Sequence, residues 1–121
     1  MTTMEKMRTM LYVDDVEETA QWWQDNLGAT VVEVNVLSDE SNNIVITIAP
    51  GAELSFFSKA YVRQYSPEVL GSTPSLMFFT KDFEALHDRL ITAGDIVDNN
   101  GTRAFNFRDP EGNYFAVGQA K

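Results

Sequence analysis

Few residues in this chain are equipped for chemistry. There is one histidine, His87, and no cysteine. Disulfides, thiolate catalysis and cysteine metal sites are therefore excluded. His87 lies one position past a helical leucine, Leu86, and beside Asp88 and Arg89. That context reads as a helix-surface or boundary residue rather than a ligand. No serine-histidine-acid set can be assembled around it. Asp14 and Asp15 are adjacent carboxylates, but Asp15 is accounted for as a helix cap and Asp14 reads as exposed. Tyr12 and Tyr114 could serve as general acids, yet nothing in the sequence marks either for that role. No glycine-rich loop is built to cradle a phosphate. Of the charged residues within strand-like stretches, Arg8 and Glu53 draw attention.

The elements that would position them follow from periodicity. Met7 to Val13 alternates as a strand, with Arg8, Met10 and Tyr12 on one face. Asp15 reads as an N-cap, with Glu18 completing a capping box. Val16, Ala20, Trp23 and Leu27 form an amphipathic stripe that ends at Gly28. Trp22 and Trp23 read as helix-to-sheet packing. Ala29 to Val36 is β-branched and strand-like. Ser38 to Asn43 reads as a loop. Ile44 to Ile48 and Glu53 to Phe57 are strands joined at Pro50-Gly51. Ser58 to Thr73 breaks the pattern, with Tyr61, Val62 and Tyr65 on one short helix stopped before Ser66-Pro67.

The pattern then restarts. Ser75 to Thr80 reads as a strand, and Asp82 as an N-cap. Phe83, Leu86 and Leu90 are the helix stripe, with Gly94 at its end. Asp95 to Asp98 is a short strand, and Asn99-Asn100-Gly101 a turn. Thr102 to Arg108 and Asn113 to Val117 form a hairpin around Asp109-Pro110-Glu111-Gly112. Asp109 can accept from the backbone two residues on, and Gly112 can take the positive φ that closes the turn. The chain is thus a β-α-β-β-β pattern used twice. That is too few copies for a solenoid, and it suits a paired-module α+β fold.

The chain has 121 residues, 44% hydrophobic and 22% charged, which fits one soluble domain. No apolar run approaches the roughly 20 residues of a membrane span. The N-terminus lacks the apolar core of a signal peptide, so a cytoplasmic location is expected. Formal net charge is −9. Nucleic acid and anionic membranes are poor partners for such a chain, whereas a cationic partner is favoured. The charge also serves solubility.

The repeat, the helix Trp22-Trp23-Gln24-Asp25-Asn26-Leu27-Gly28 and the Asp109-Pro110-Glu111-Gly112-Asn113 hairpin together resemble one family. It is the vicinal oxygen chelate superfamily of type I glyoxalases, bleomycin-resistance proteins and extradiol dioxygenases. The resemblance covers nearly the whole chain. It implies two βαβββ modules whose strands curl into an open cup with helices outside. It divides the chain into module one at about 5–58, a connector at 59–73 and module two at 74–121. It also implies a homodimer.

In the family's metal enzymes, four side chains meet inside the cup. The first-strand position lies seven before the helix-capping Asp, which gives Arg8, and Ser75 in module two. The last-strand position lies four after the turn Gly, which gives Ala116. Glu53 in Glu53-Leu54-Ser55 holds the remaining position. One of four positions thus keeps a ligand-type residue. A first-row divalent metal needs about three protein donors. Arg8 is a permanent cation that cannot ligate. No metal or other cofactor is therefore expected, a divalent metal being the alternative.

Period-2 alternation extends these positions into a wall: Arg8, Met10, Tyr12, Glu53, Ser55, Phe57, Ser75, Met77, Phe79, Asn106, Tyr114 and Ala116. Asn106 joins it by pairing opposite Ala116, which sends Phe105 and Phe107 to the core. An apolar wall with few polar handles suits a small-molecule pocket. Arg8 and Glu53 are expected to pair as ions across it, unless Arg8 grips an anionic ligand group instead. The expected function is metal-free binding of a small molecule, cationic or aromatic, similar to the bleomycin-resistance branch. The alternative is an enzyme of the same superfamily, a lyase, isomerase or dioxygenase, with a non-standard metal site or Glu53 as base.

Overall fold

The computed structural model describes residues 2–121, with the backbone alone described at Asn99. It is an α+β protein of two βαβββ modules, which form compact units ending at Thr73 and starting at Pro74.

The first unit begins with β1 (Met7–Val13), α1 (Val16–Leu27), β2 (Thr30–Val36), β3 (Asn42–Ala49) and β4 (Ala52–Ser58). The sheet order is β1-β4-β3-β2, with β1 and β4 parallel and the other pairs antiparallel. Helix α1 starts where Asp15 Oδ1 accepts the Glu18 amide at 3.0 Å, and it ends at Gly28 with φ 68°. Its stripe buries Val16, Ala20 and Trp23 against Leu11, Val13, Ile44, Ile46, Leu54 and Phe56. A helix α2 (Lys59–Tyr65) and a 3-10 turn (Pro67–Val69) follow within this unit. Ser58 caps α2 by accepting the Tyr61 amide.

The second unit repeats the plan with β5 (Met77–Thr80), α3 (Phe83–Arg89), β6 (Val97–Asn99), β7 (Thr102–Arg108) and β8 (Tyr114–Gln119). Its order is β5-β8-β7-β6, again with the first pair parallel. Phe83, Leu86, Leu90, Phe105, Phe107, Phe115 and Val117 are buried together on the helix side. The β7–β8 hairpin has the expected register, Asn106 opposite Ala116, and Gly112 at φ 81°.

Five local readings of the sequence need correction. Asn42 and Asn43 belong to β3 and not to a loop. The buried Asn43 amide is satisfied by Ser55 Oγ and the Phe56 carbonyl, so its polarity is no bar to a strand. Ser75 precedes β5 and is exposed, since pairing starts only at Met77. Asp82 stands at the start of α3, but its side chain makes no capping bond. Its own amide goes to Thr80 Oγ1. Helix α3 ends at Arg89, short of Gly94, because Thr92 and Gly94 hydrogen-bond to β7. Thr92 Oγ1 donates to the Arg108 carbonyl at 2.6 Å, and the Gly94 amide donates to the Asn106 carbonyl at 2.7 Å. Asn99 ends β6, so the turn is only Asn100-Gly101, both with positive φ.

Candidate functional site

On the first sheet, the parallel pairing of β1 with β4 sets Arg8 beside Glu53, Met10 beside Ser55 and Tyr12 beside Phe57. All six lie on the face opposite α1. Arg8 Nε donates to Glu53 Oε1 at 2.9 Å. The expected ion pair is present, and it is larger than expected. Arg8 Nη2 also donates to Glu33 Oε2 at 2.7 Å, and Lys6 Nζ lies 3.5 Å from Glu53 Oε2. The Glu53 side chain is only 11% exposed, and these cations pair with its carboxylate.

Glu33 was missed by sequence reasoning. A β-bulge between Val31 and Glu33 shifts the β2 register against β3. Beyond it, Glu33 stands opposite Val45 and Asn35 opposite Asn43, on the Arg8 face. The signal was there: Glu33 and Asn35 alternate with Val32, Val34 and Val36. A polar chain results. Asn35 Nδ2 donates to Glu33 Oε1 and to Asn43 Oδ1, and Asn43 Nδ2 donates to Ser55 Oγ. Ser55, 1% exposed, is therefore held beneath this network and offers no open hydroxyl.

Glu53, then Glu33, hold the Arg8 guanidinium above its ordinary pKa, and Arg8 holds the Glu33 carboxyl below its own. A carboxyl lowered in the folded state adds stability above its unfolded pKa and loses it as pH falls through the folded value. Acidification below the ordinary Glu range, near 4.5, is thus expected to weaken the native protein more than Glu33→Gln. Urea midpoints of the two proteins across that range check this. The gap between them should close on acidification and shrink with added salt.

The other end of β1 is aromatic. Tyr12 and Phe57 have ring centroids 6.5 Å apart, Phe57 stacks on Tyr61 at 6.2 Å, and Tyr61 meets Tyr65 at 4.8 Å. With Met10, Val62, Ser66 and Val69 these rings line a pocket of about 210 Å³. Tyr61 and Tyr65 arrive on α2, which the sequence reading treated only as a connector. The Tyr65 hydroxyl is held by Ser38 Oγ at 2.9 Å.

On the second sheet, Met77, Phe79, Asn106, Tyr114 and Ala116 share the face opposite α3. Gly118, also missed, shares it as well. A Cβ there would come within 2.7 Å of Met77 Cε and of Phe79 Cε1. The glycine lets both side chains lie across β8. Gly118→Val is expected to lift them off the strand and leave the hairpin paired. The Met77 methyl shift and the amide shifts of Met77 and Phe79 should change, and the Asp109 amide shift should stay put. His87 sits at the helix boundary, its Nε2 2.8 Å from the Gly94 carbonyl and its ring edge-on to Phe105.

The divalent metal implied by the family resemblance does not fit these residues. Arg8 is bonded to the carboxylates a metal would need, and Ala116 offers no donor. Among the described residues, no three His, Cys, Asp or Glu side chains are grouped to hold an ion.

Two four-stranded mixed sheets, each packed against its own helix on one face, make this a paired-module α+β fold. Residues 7–117 match the Glyoxalase/Bleomycin resistance protein/Dioxygenase superfamily, and the chain belongs to it. No curated protein matches. Among solved structures, the chain is similar to TnmS3, an antibiotic-binding protein from Streptomyces sp. CB03234. Identity is 16%, coverage 100% of this chain and 99% of that one, and the TM-score 0.78. It is also similar to a lactoylglutathione lyase from Agrobacterium tumefaciens, with 18% identity, 94% and 92% coverage and a TM-score of 0.71. The oxidase ChaP-H2 matches at 18% identity, 99% and 96% coverage and a TM-score of 0.69. A binding protein, a lyase and an oxidase share this fold, so the fold does not choose among them. Among the described residues, no helix is long and apolar enough to cross a membrane.

Proposed function

We propose that this chain is a metal-free small-molecule-binding protein whose ligand lies on the face of the first sheet opposite α1, with the Tyr12-Phe57-Tyr61-Tyr65 pocket, roofed in part by α2, as its principal contact. One observation carries the reading. Large side chains that line this pocket stand open and are not packed as core: Met10 is 47% exposed and Tyr65 52%. Apolar surface of this kind is left uncovered where something binds. The preferred ligand is aromatic and cationic. Aromatic faces attract cations, the pocket lining holds no Lys or Arg, and the protein carries a net charge of −9. The likeness in fold to an antibiotic-binding protein supports the same reading. Glu53 is held by Arg8 and Lys6, which counts against a role as general base. The protein acts in the cytoplasm as a homodimer.

Thermal melting against a panel of cationic aromatics and small carboxylates tests this. The cationic aromatics should raise the midpoint and the carboxylates should not, because a ligand selective for the folded state stabilises it. A panel without effect contradicts the proposal. Elemental analysis of protein purified without chelators should find no stoichiometric nickel, zinc, iron or manganese. Sedimentation should give twice the chain mass.

A further inference from the structure

The misfit between Arg8 and a metal has a geometric form. A single atom, Arg8 Nη2, lies 2.7 Å from Glu33 Oε2 and 2.9 Å from Glu53 Oε1. Two carboxylates from different strands thus converge on one point, and that point is occupied by positive charge. The convergence depends on the bulge in β2, since a one-residue shift in pairing sends a side chain to the opposite face. The largely buried Glu53 needs this charge, because Lys6 is farther off at 3.5 Å and half exposed.

We propose that Arg8 is the resident cation of this face. Its guanidinium fills the place of a divalent metal between Glu33 and Glu53, and replacing it by a neutral donor turns the face into a divalent-metal site. The inference rests on the metal-free reading above. A guanidinium has no lone pair to give and does not deprotonate, so it neutralises the carboxylates and also repels any incoming cation. An imidazole at the same position removes the repulsion and supplies the third nitrogen or oxygen donor. Asn35, bonded to Glu33 Oε1, would hold that carboxylate in place. The native cluster is not itself a metal site.

The test titrates Ni²⁺ or Zn²⁺ alone into native protein, Arg8→His and Arg8→Lys by calorimetry, with melting midpoints recorded alongside. Native protein and Arg8→Lys should stay empty. Arg8→His should take one equivalent per chain, and its midpoint should rise with added metal. Adding Glu53→Gln to Arg8→His should weaken binding by more than the roughly tenfold cost of losing an outer-shell partner. A folded Arg8→His that remains empty overturns the inference and leaves the metal-free reading intact. So does an unfolded Arg8→His that metal does not refold, because the missing cation has then been supplied without effect. Equal binding by Arg8→Lys overturns it too, since charge is then no barrier. Loading of native protein overturns both.

Discussion

Trp23→Ala is expected to lower the stability of the first unit by about 3–5 kcal/mol. Trp23 is fully buried, and its ring lies 6.5 Å from Phe56 and 5.7 Å from Trp22. It is the largest side chain that α1 places on the sheet, and Phe56 on β4 and Ile46 on β3, the strands α1 packs against, are fully buried. Truncation leaves a cavity that close-packed strands cannot collapse. Small domains hold only about 5–15 kcal/mol in total, so this one change removes much of it. Urea unfolding followed by circular dichroism measures the loss. A loss below about 1 kcal/mol would show that the helix-to-sheet core is not where this unit's stability resides.

Asp109→Ala is the second large effect, at about 1–3 kcal/mol. Asp109 is 3% exposed, and its Oδ1 accepts the Glu111 amide at 3.0 Å and the Asn113 amide at 2.9 Å. Its Oδ2 is buried away from water. Burial therefore pushes its pKa up, against the pull of the Asn113 and Glu111 amides and of the Asn113 side chain. The sign is opposite to that of Glu33. A carboxyl raised in the folded state adds stability below its unfolded pKa of 3.8 and loses it as pH rises through the folded value. Asp109→Asn keeps an accepting oxygen and carries no charge. It should cost less than Asp109→Ala, and its stability relative to the native protein should improve from pH 3 to pH 7. Denaturant midpoints at those two pH values decide the matter. A relative stability that worsens over that interval would mean the carboxylate is stabilised where it sits.

The fold was legible because its signals are local. Asp15, Gly28, Gly112 and the alternation from Met7 to Val13 each act within a few residues. The candidate site was legible in part, through register. Knowing that Arg8 and Glu53 face the same way was enough to expect their pairing. Glu33 escaped because a bulge, invisible to strict alternation, decides its partner. The early end of α3 escaped because Thr92 and Gly94 answer to β7, distant in sequence. Tyr61 and Tyr65 were read as a helix stripe, and their place beside Phe57 depends on how α2 returns over β4. Ser55 had the right face but the wrong role, since Asn43 reaches it from the next strand. Contacts between distant segments account for each of these misses.

The central claim is that a small molecule binds at the aromatic end of β1 and β4. The most direct measurement is an amide NMR titration with proflavine, a flat aromatic cation, on native protein and on Tyr61→Ala. The account predicts saturable shifts at Met10, Tyr12, Phe57 and Tyr65 in the native protein. Tyr61→Ala, folded, should show binding weaker by about two- to tenfold, since an aromatic contact is worth about 0.5–1.5 kcal/mol. Shifts confined to the acidic surface, or equal binding by Tyr61→Ala, would contradict it.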